Sequence, residues 1–444
     1  MSFSGLKKVF GKIEISRSSL PEKVKNVPEF AKAVSRFLDK NVSQVLEVIF
    51  IGSIDLDASD IHFETEEQGV KIRLRIDGVL QDLVSIARED YKSLLSRIKL
   101  VSGVKLNISD RPQDGRFSIV EDKTEIEVRT STLPSEYGES VVLRVLNPKS
   151  LISLEQLGLR NDLLQIFRQE IAKPNGMIIV TGPTGSGKTT TLYAFLKEVQ
   201  NPGIKVITIE DPIEYRLEGI SQTQVEPSKG YNFASGLRAI VRQDPDVILV
   251  GEIRDLETTE ISLQAALTGH LVFSTLHTND AAGTIARLID LGTTPPSVAS
   301  AINLIIAQRL IRKVCQKCVS FKPASPALIE GIRRSLKGLP KNINIPSLSK
   351  QMKVPVIKGC QDCGFTGYQR RLGVFEAFLI DEEMERFILT APPTSALRDK
   401  AIEKGMVTMY QDGLMRVVQG LTTIEELERI IGKPRSNSSS DVEN

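Results

Sequence analysis

The chain has 444 residues, which suggests about two or three domains rather than a single core. Its 41% hydrophobic and 25% charged residues are ordinary globular values and exclude disorder over most of the length. Lys plus Arg number 57 against 55 Asp plus Glu, and a net charge of +2 gives no support to bulk attraction to nucleic acid or anionic lipid.

No apolar run approaches the length of a membrane span; the longest candidates, residues 48–51 and 302–307, are core-sized. The start, Met1-Ser-Phe-Ser-Gly-Leu-Lys-Lys, lacks the apolar stretch of a secretory signal, so the protein is expected to stay in the cytoplasm. Residues 1–45 read as a short helical segment, with Phe30, Val34, Phe37 and Leu38 on one face. Over 46–150 the period changes to two. Ile72, Leu74 and Ile76 alternate with charged residues and run into Asp77-Gly78, a two-residue hairpin signal. Ile126 and Val128 alternate in the same way, residues 141–143 form another strand, and 91–101 supply a helix. This block is expected to be a smaller α+β domain.

From 151 to 310 the pattern is strand, loop, helix. Apolar runs at 177–181, 206–209, 247–250 and 271–275 read as buried strands. Helical stretches separate them, such as 256–267, with Ile261, Ala265 and Leu267 expected to face inward. That alternation implies an α/β fold with a parallel sheet covered on both faces. Residues 311–380 carry all four cysteines around a Pro- and Lys-containing insertion. Helical patterning returns over 381–433, and 434–444 read as a polar, disordered tail.

The strongest motif is Gly182-Pro183-Thr184-Gly185-Ser186-Gly187-Lys188-Thr189, which fits a phosphate-binding loop at every required position. It follows the strand 177–181 and opens a helix over 188–199, as that loop requires. Glycines let the backbone wrap phosphates, and N–H groups at the helix start point at anions. Lys188 is then expected to reach the β- and γ-phosphates of ATP and Thr189 to ligate Mg²⁺, with Thr190 beside it.

Two acidic groups end neighbouring strands. Glu210 closes 206–209, and Glu252 follows 247–250, where parallel sheets bind ligands. Glu210 is assigned as the water-activating base and Glu252 to the magnesium shell, with the exchange of the two roles left open. His270 and His277 bracket the strand 271–275 and are assigned to sensing the γ-phosphate rather than to proton transfer.

Cys315-Gln-Lys-Cys318 and Cys360-Gln-Asp-Cys363 have the spacing that offers two thiolates from one turn to a tetrahedral Zn²⁺. A redox dithiol is the alternative for one pair; two pairs in one segment favour zinc. Basic neighbours Arg312, Lys313 and Lys317 are expected to favour the thiolate.

Taken together these motifs resemble the secretion ATPases of type II secretion and type IV pilus assembly, the GspE/PilB-like group. The matching stretches are 182–193, 207–215, 238–258, 268–280, 308–318 and 359–376, with 58–64, 75–79 and 129–144 before them. The resemblance implies a RecA-like P-loop ATPase domain preceded by a PAS-like N-domain, and a homo-hexamer acting through an inner-membrane platform protein. It further implies that the N-domain closes on the nucleotide with arginines at the phosphates, Arg129 and Arg144 foremost and Arg116 after them. The tetracysteine segment points to assembly rather than retraction. Residues 1–45 stand where the family carries a longer docking domain, so the docking partner is not named by the sequence. The competing readings are a pilus or competence motor of other directionality, a non-catalytic nucleotide-sensing scaffold, against which the intact acidic set argues, and a RecA-like ATPase acting on DNA, for which 5% aromatics and no Trp leave no stacking platforms.

Overall fold

The structure, a computed structural model, describes residues 11–433 apart from 21, 39, 122–123 and 149–150; the expected tail 434–444 lies outside the described residues. The chain divides into two compact units. The first is Met1–Ser150 with Cys315–Val319 and Ile357–Arg370, and the second is Leu151–Val314, Ser320–Val356 and Arg371–Asn444. All four cysteines fall in the first unit, so the segment 311–380 is divided between the two.

The first unit runs β1 (Lys12–Ile15), α1 (Val27–Ser35), α2 (Val42–Asp55), β2 (Asp60–Glu66), β3 (Gly69–Ile76) and β4 (Val79–Ile86). It continues α3 (Arg88–Val101), β5 (Gln113–Glu121), β6 (Thr124–Ser135) and β7 (Gly138–Leu146). The strands form one sheet in the order β1-β5-β6-β7-β2-β3-β4. Asp77 and Gly78 both take positive φ, 50° and 81°, which matches the right-handed twist of the hairpin closed by Ile76 and Val79. Asn26 starts α1 by accepting from the Glu29 amide at 2.9 Å, and Pro28 sits in the first turn, where its missing N–H costs nothing.

Residues 46–55 depart from the expected period of two, because they belong to α2. That helix is buried from Val45 to Ile54 except at Glu47. A helix covered on nearly every side shows no polar stripe, so its apolar run cannot be told from a strand by periodicity. The Phe30 ring packs where a Cβ on Gly52 would stand, 2.1 Å from Cε2.

The second unit begins α4 (Asn161–Ile171), β8 (Gly176–Thr181), α5 (Lys188–Val199), β9 (Val206–Glu210), β10 (Ser221–Gln224), α6 (Phe233–Val241) and β11 (Val247–Val250). Next come α7 (Leu256–Leu267), β12 (Leu271–Leu276), α8 (Ala282–Asp290), α9 (Pro295–Ala301) and β13 (Ile302–Val314). It ends with β14 (Ser320–Pro323), α10 (Pro326–Ser335), β15 (Lys353–Val356), β16 (Tyr368–Leu379, in this unit from Arg371), α11 (Glu382–Leu389), α12 (Thr394–Glu403), α13 (Met409–Val418) and α14 (Ile424–Ile431). The main sheet has the order β10-β9-β11-β12-β8-β13-β16, and its pairs from β10 to β13 are parallel.

Alternation along β8 explains why the sheet needs helices on both sides. Met177 and Ile179 join one core with Ile248, Val250 and Val272, while Ile178 and Val180 join another with Leu192, Phe195 and Phe273. In α7 the inward face is Ser262, Leu263, Ala265 and Ala266; Leu267, expected inside, is 41% exposed at the helix end. Within the insertion, β14 and β15 pair with Ser320 opposite Val356, which closes the loop at its base.

Candidate nucleotide site and tetracysteine centre

Thr181 ends β8, and the chain turns through the exposed Pro183, Thr184 and Gly185 into α5. Gly182 has φ +148°, and a Cβ there would meet the Gln308 carbonyl oxygen at 2.6 Å and Ser186 Oγ at 2.7 Å. Gly187 has φ +88° and a Cβ would meet Gln308 Nε2 at 2.8 Å. Glycine at both positions is therefore a packing requirement as well as a conformational one. No side chain caps the start of α5, so its first amides face into the loop. Among the described residues, Ser186 Oγ is buried without a hydrogen-bond partner, as a group awaiting a ligand would be. Lys188 Nζ folds back onto the carbonyls of Gly182 and Pro183, at 2.8 and 3.2 Å. Burial, and secondarily the charge of Arg309, lower its pKa to about 8 against the opposing pull of Glu252.

The carboxyl edge of the sheet supplies the acid and the histidine. Glu252 Oε2 stands 3.5 Å from His277 Nε2, and its other oxygen accepts from Arg254. These residues line a cleft of 550 Å³ together with Ile253, Leu276 and Arg287. Burial, then the charge of Lys188, lower the His277 pKa, which keeps its imidazole neutral near pH 7. Thr278 Oγ1 lies 2.7 Å from Thr181 Oγ1 and ties the loop after β12 to the base of the phosphate loop.

Glu210 occupies a different setting. It is 3% exposed and accepts from Tyr193, from Thr208 at 2.6 Å and from Gln222 at 3.2 Å. It does not line the cleft beside Glu252. His270 needs correction. Its carbonyl accepts from the Gly176 amide at 3.2 Å and its Nδ1 lies 3.0 Å from the Ala265 carbonyl, so it marks the start of β12. Six residues of strand at about 3.3 Å each separate it from the edge where the phosphate loop lies. Only His277 is at that edge.

In the first unit the arginines form a row. Arg116 faces Arg129 across β5 and β6, Arg129 faces Arg144 across β6 and β7, and Arg144 and Arg75 both flank Asp60 on β2. Cross-strand partners share a face, and like charges set opposite each other destabilise a sheet. Asp60, almost wholly buried, offsets part of this by holding Arg144 Nε at 3.0 Å and Arg75 Nε at 3.5 Å. The row is suited to an anion of high charge.

The four cysteines converge. Their sulfurs all lie within 4.8 Å of one another, with 3.9 Å between Cys315 and Cys360 and 3.8 Å for Cys318–Cys363 and Cys360–Cys363. Tetrahedral zinc with Zn–S near 2.3 Å sets an edge of about 3.8 Å, so the donor set fits that ion. Amides of Cys360 and Gly367 donate to Cys363 Sγ at 3.2 Å each, as second-layer donors to a thiolate do. Lys317 is spent on Asp362 at 2.5 Å and Arg312 on Glu426 at 2.7 Å, so those cations do not act mainly on the thiols. Burial raises the Cys318 pKa to about 12.

The sequence shows Tyr193, Thr278, Gln308, Arg309 and Glu376 only as members of matching stretches and gives none of them a role. Gln308 Nε2 donates to the Ser186 carbonyl at 2.8 Å while its Oε1 accepts from Thr191 at 2.7 Å, strapping the phosphate loop to β13.

A phosphate loop at the end of a central parallel strand, with acid and histidine at nearby strand ends, defines an α/β domain of the P-loop nucleotide-binding class. The chain belongs to the type II/IV secretion system protein family, whose model matches residues 36–429. It is 39% identical to the type IV pilus assembly ATPase PilB of Thermus thermophilus, over 95% of this chain and 46% of that protein. It is 42% identical to type II secretion system protein E of Aeromonas hydrophila, over 88% of this chain and 76% of that one. The chain thus spans about half the length of the Thermus relative. Among solved structures it resembles the pilus retraction motor PilT with bound ADP, at 28% identity and a TM-score of 0.58 over 87% of this chain and 96% of that one. The Legionella pneumophila ATPase DotB shares the fold, with a TM-score of 0.62 at 22% identity over 86% and 94% of the two chains. Among the described residues no helix is long and apolar enough to cross a membrane.

Proposed function

We propose that the protein is a homo-hexameric motor that hydrolyses Mg²⁺-ATP to drive type IV pilus assembly or type II secretion. It would work at the cytoplasmic face of the inner membrane through a platform protein, with no nucleic acid as partner. The names of its relatives support the system, and the tetracysteine centre favours assembly through its resemblance to assembly-type motors. The observation that carries the hydrolytic reading is the Glu252–His277 pair, 3.5 Å apart at the mouth of a cleft whose acid acts on Lys188.

In this reading Gly182 to Gly187 wrap the phosphates and Lys188 leaves the Gly182 carbonyl to meet them. Thr189 holds Mg²⁺, with Thr190 beside it. Glu252 orients the attacking water, because it faces the cleft and retains accessible surface. Glu210, with hydrogen bonds from three side chains, is the fixed anchor of the strand edge. This moves the water-activating role from Glu210, where the sequence placed it, to Glu252. Neutral His277 senses the γ-phosphate, and Arg116, Arg129 and Arg144 are offered to nucleotide phosphates, where fixed cations stabilise developing charge. Cys315, Cys318, Cys360 and Cys363 hold Zn²⁺ as a structural ion.

ATPase assays on the wild type and Lys188→Ala, with sedimentation in ATP and a pull-down from native membranes, test the reading. Normal hydrolysis by Lys188→Ala would sink it, and turnover stimulated severalfold by DNA at physiological salt would move it to the DNA-acting class.

A further inference from the structure

β13 lies beside β8 on the side away from β12, with Ala307 opposite Thr181. The next residue, Gln308, is the strap described above, and Arg309 follows it at the entrance to the phosphate loop. Its guanidinium reaches across the end of β8 to the loop after β12. There Nη2 donates to the Asn279 carbonyl at 3.2 Å and stands 3.3 Å from Asn279 Oδ1, while Nη1 makes a 3.4 Å contact with the Gln308 carbonyl. These are long bonds to neutral acceptors. Among the described residues no ion pair is formed by Arg309, although it is half-buried. Burial lowers its pKa, and its charge in turn lowers that of Lys188. Two cations therefore stand at one loop without an ion pair among the described residues, opposed by the charges of Glu376 and Asp280 for Arg309 and of Glu252 for Lys188, and an incoming polyphosphate adds negative charge that both can meet directly.

Asn279 lies two residues beyond His277, so the resting guanidinium sits at the hydrolytic edge rather than at the inner phosphates. The loop it holds is tethered further on. Asp280 pairs with Arg398 on α12 at 3.7 Å. The Ala281 amide donates to Glu376 at 2.9 Å, and the other oxygen of that buried carboxylate accepts from the Met409 amide, at the start of α13, at 3.1 Å.

We propose that Arg309 is a second cation of the nucleotide site, which exchanges Asn279 for the terminal phosphate of ATP and so reports ATP, as opposed to ADP, to the loop 277–281 and the helices α12 and α13. The proposal rests on the reading of 182–190 as the nucleotide site. Its consequence is discrimination. ADP, lacking the terminal phosphate, leaves Arg309 on Asn279; ATP frees the loop.

The test measures affinity of the full chain for ADP and for a non-hydrolysable ATP analogue by calorimetry, in wild type, Arg309→Gln, Arg309→Lys, Asn279→Ala and Lys188→Ala. Arg309→Gln is expected to weaken analogue binding about tenfold or more, as losing a charged hydrogen bond does, with ADP affinity within about twofold of wild type. Arg309→Lys keeps part of the preference, and Asn279→Ala keeps or tightens analogue binding. Hydrogen exchange supplies a readout that a structural role would not move. The analogue changes protection at 277–281 and at Met409 in the wild type and not in Arg309→Gln. Equal losses for both nucleotides, or none, overturn the proposal, as does a loss in Asn279→Ala as large as that in Arg309→Gln. If Lys188→Ala binds both nucleotides normally, the phosphate-loop reading fails instead.

Discussion

Tyr193, on the helix opened by the phosphate loop, donates its phenol hydrogen to Glu210 at the end of β9. Both side chains are buried, and burial followed by the charge of Glu210 pushes the Tyr193 pKa up. The bond joins the helix that carries Lys188 to β9, three places from β8 in the sheet. Removing it in Tyr193→Phe leaves a buried carboxylate short of a donor, at a cost of about 1.5–3 kcal/mol. Denaturant unfolding should show that loss, while kcat falls less than about tenfold, since the bond positions the scaffold rather than the water. A kcat loss with unchanged stability would return Glu210 to the role of base.

Glu252 is expected to behave in the opposite way. Its carboxylate faces the cleft, and Glu252→Gln keeps the shape while removing the charge that orients water. Steady-state kcat should fall by roughly 10²-fold or more with nucleotide affinity retained. Comparable kcat losses in Glu252→Gln and Glu210→Gln would show that the two acids act as one unit.

Lys188 gives a dependence on pH with a defined sign. Its pKa in the free protein is lowered to about 8, chiefly by burial, so the ammonium is present below that pH and lost above it. Bound phosphates favour the charged form and raise the pKa again. ATP binding should therefore take up a proton near pH 8.5 and none at this group near pH 6.5. Affinity should fall above about pH 8 by at most tenfold per unit. For stability the sign is reversed from that of a lysine gaining a partner. The charged form is disfavoured in the fold, so the penalty is present below about pH 8 and fades as pH rises toward the unfolded value of 10.5. Calorimetry of ATP binding in buffers of different ionisation enthalpy reads the uptake directly, and none at pH 8.5 would contradict it.

The phosphate loop was legible in sequence because its signal is local: a strand, fixed glycines and a helix start lie within fifteen or so residues of each other. The Asp77-Gly78 turn was legible for the same reason. Residues whose meaning comes from distant partners were not. Gln308 acquires its role from Ser186 and Thr191, and Tyr193 from Glu210, across sheet neighbours that periodicity does not specify. His270 was misplaced because closeness in sequence to His277 conceals the length of the strand between them. Residues 46–55 were misread because burial on every side erased the helical period.

The cysteines yield the last prediction. Sulfur separations of 3.8–3.9 Å are far beyond the disulfide distance of about 2.05 Å and match the edge of a zinc–thiolate tetrahedron. The purified chain should carry about one zinc by elemental analysis, and Cys318→Ser should lose it together with thermal stability. Because the ligands bind zinc as thiolates, protons compete with the metal, so chelators should strip it faster at pH 6 than at pH 8. Reactivity of the thiols toward a disulfide reagent should rise as zinc leaves. Zinc-free protein with full stability and unreactive thiols would mean that packing alone, and not a metal, holds the two Cys-x-x-Cys turns together.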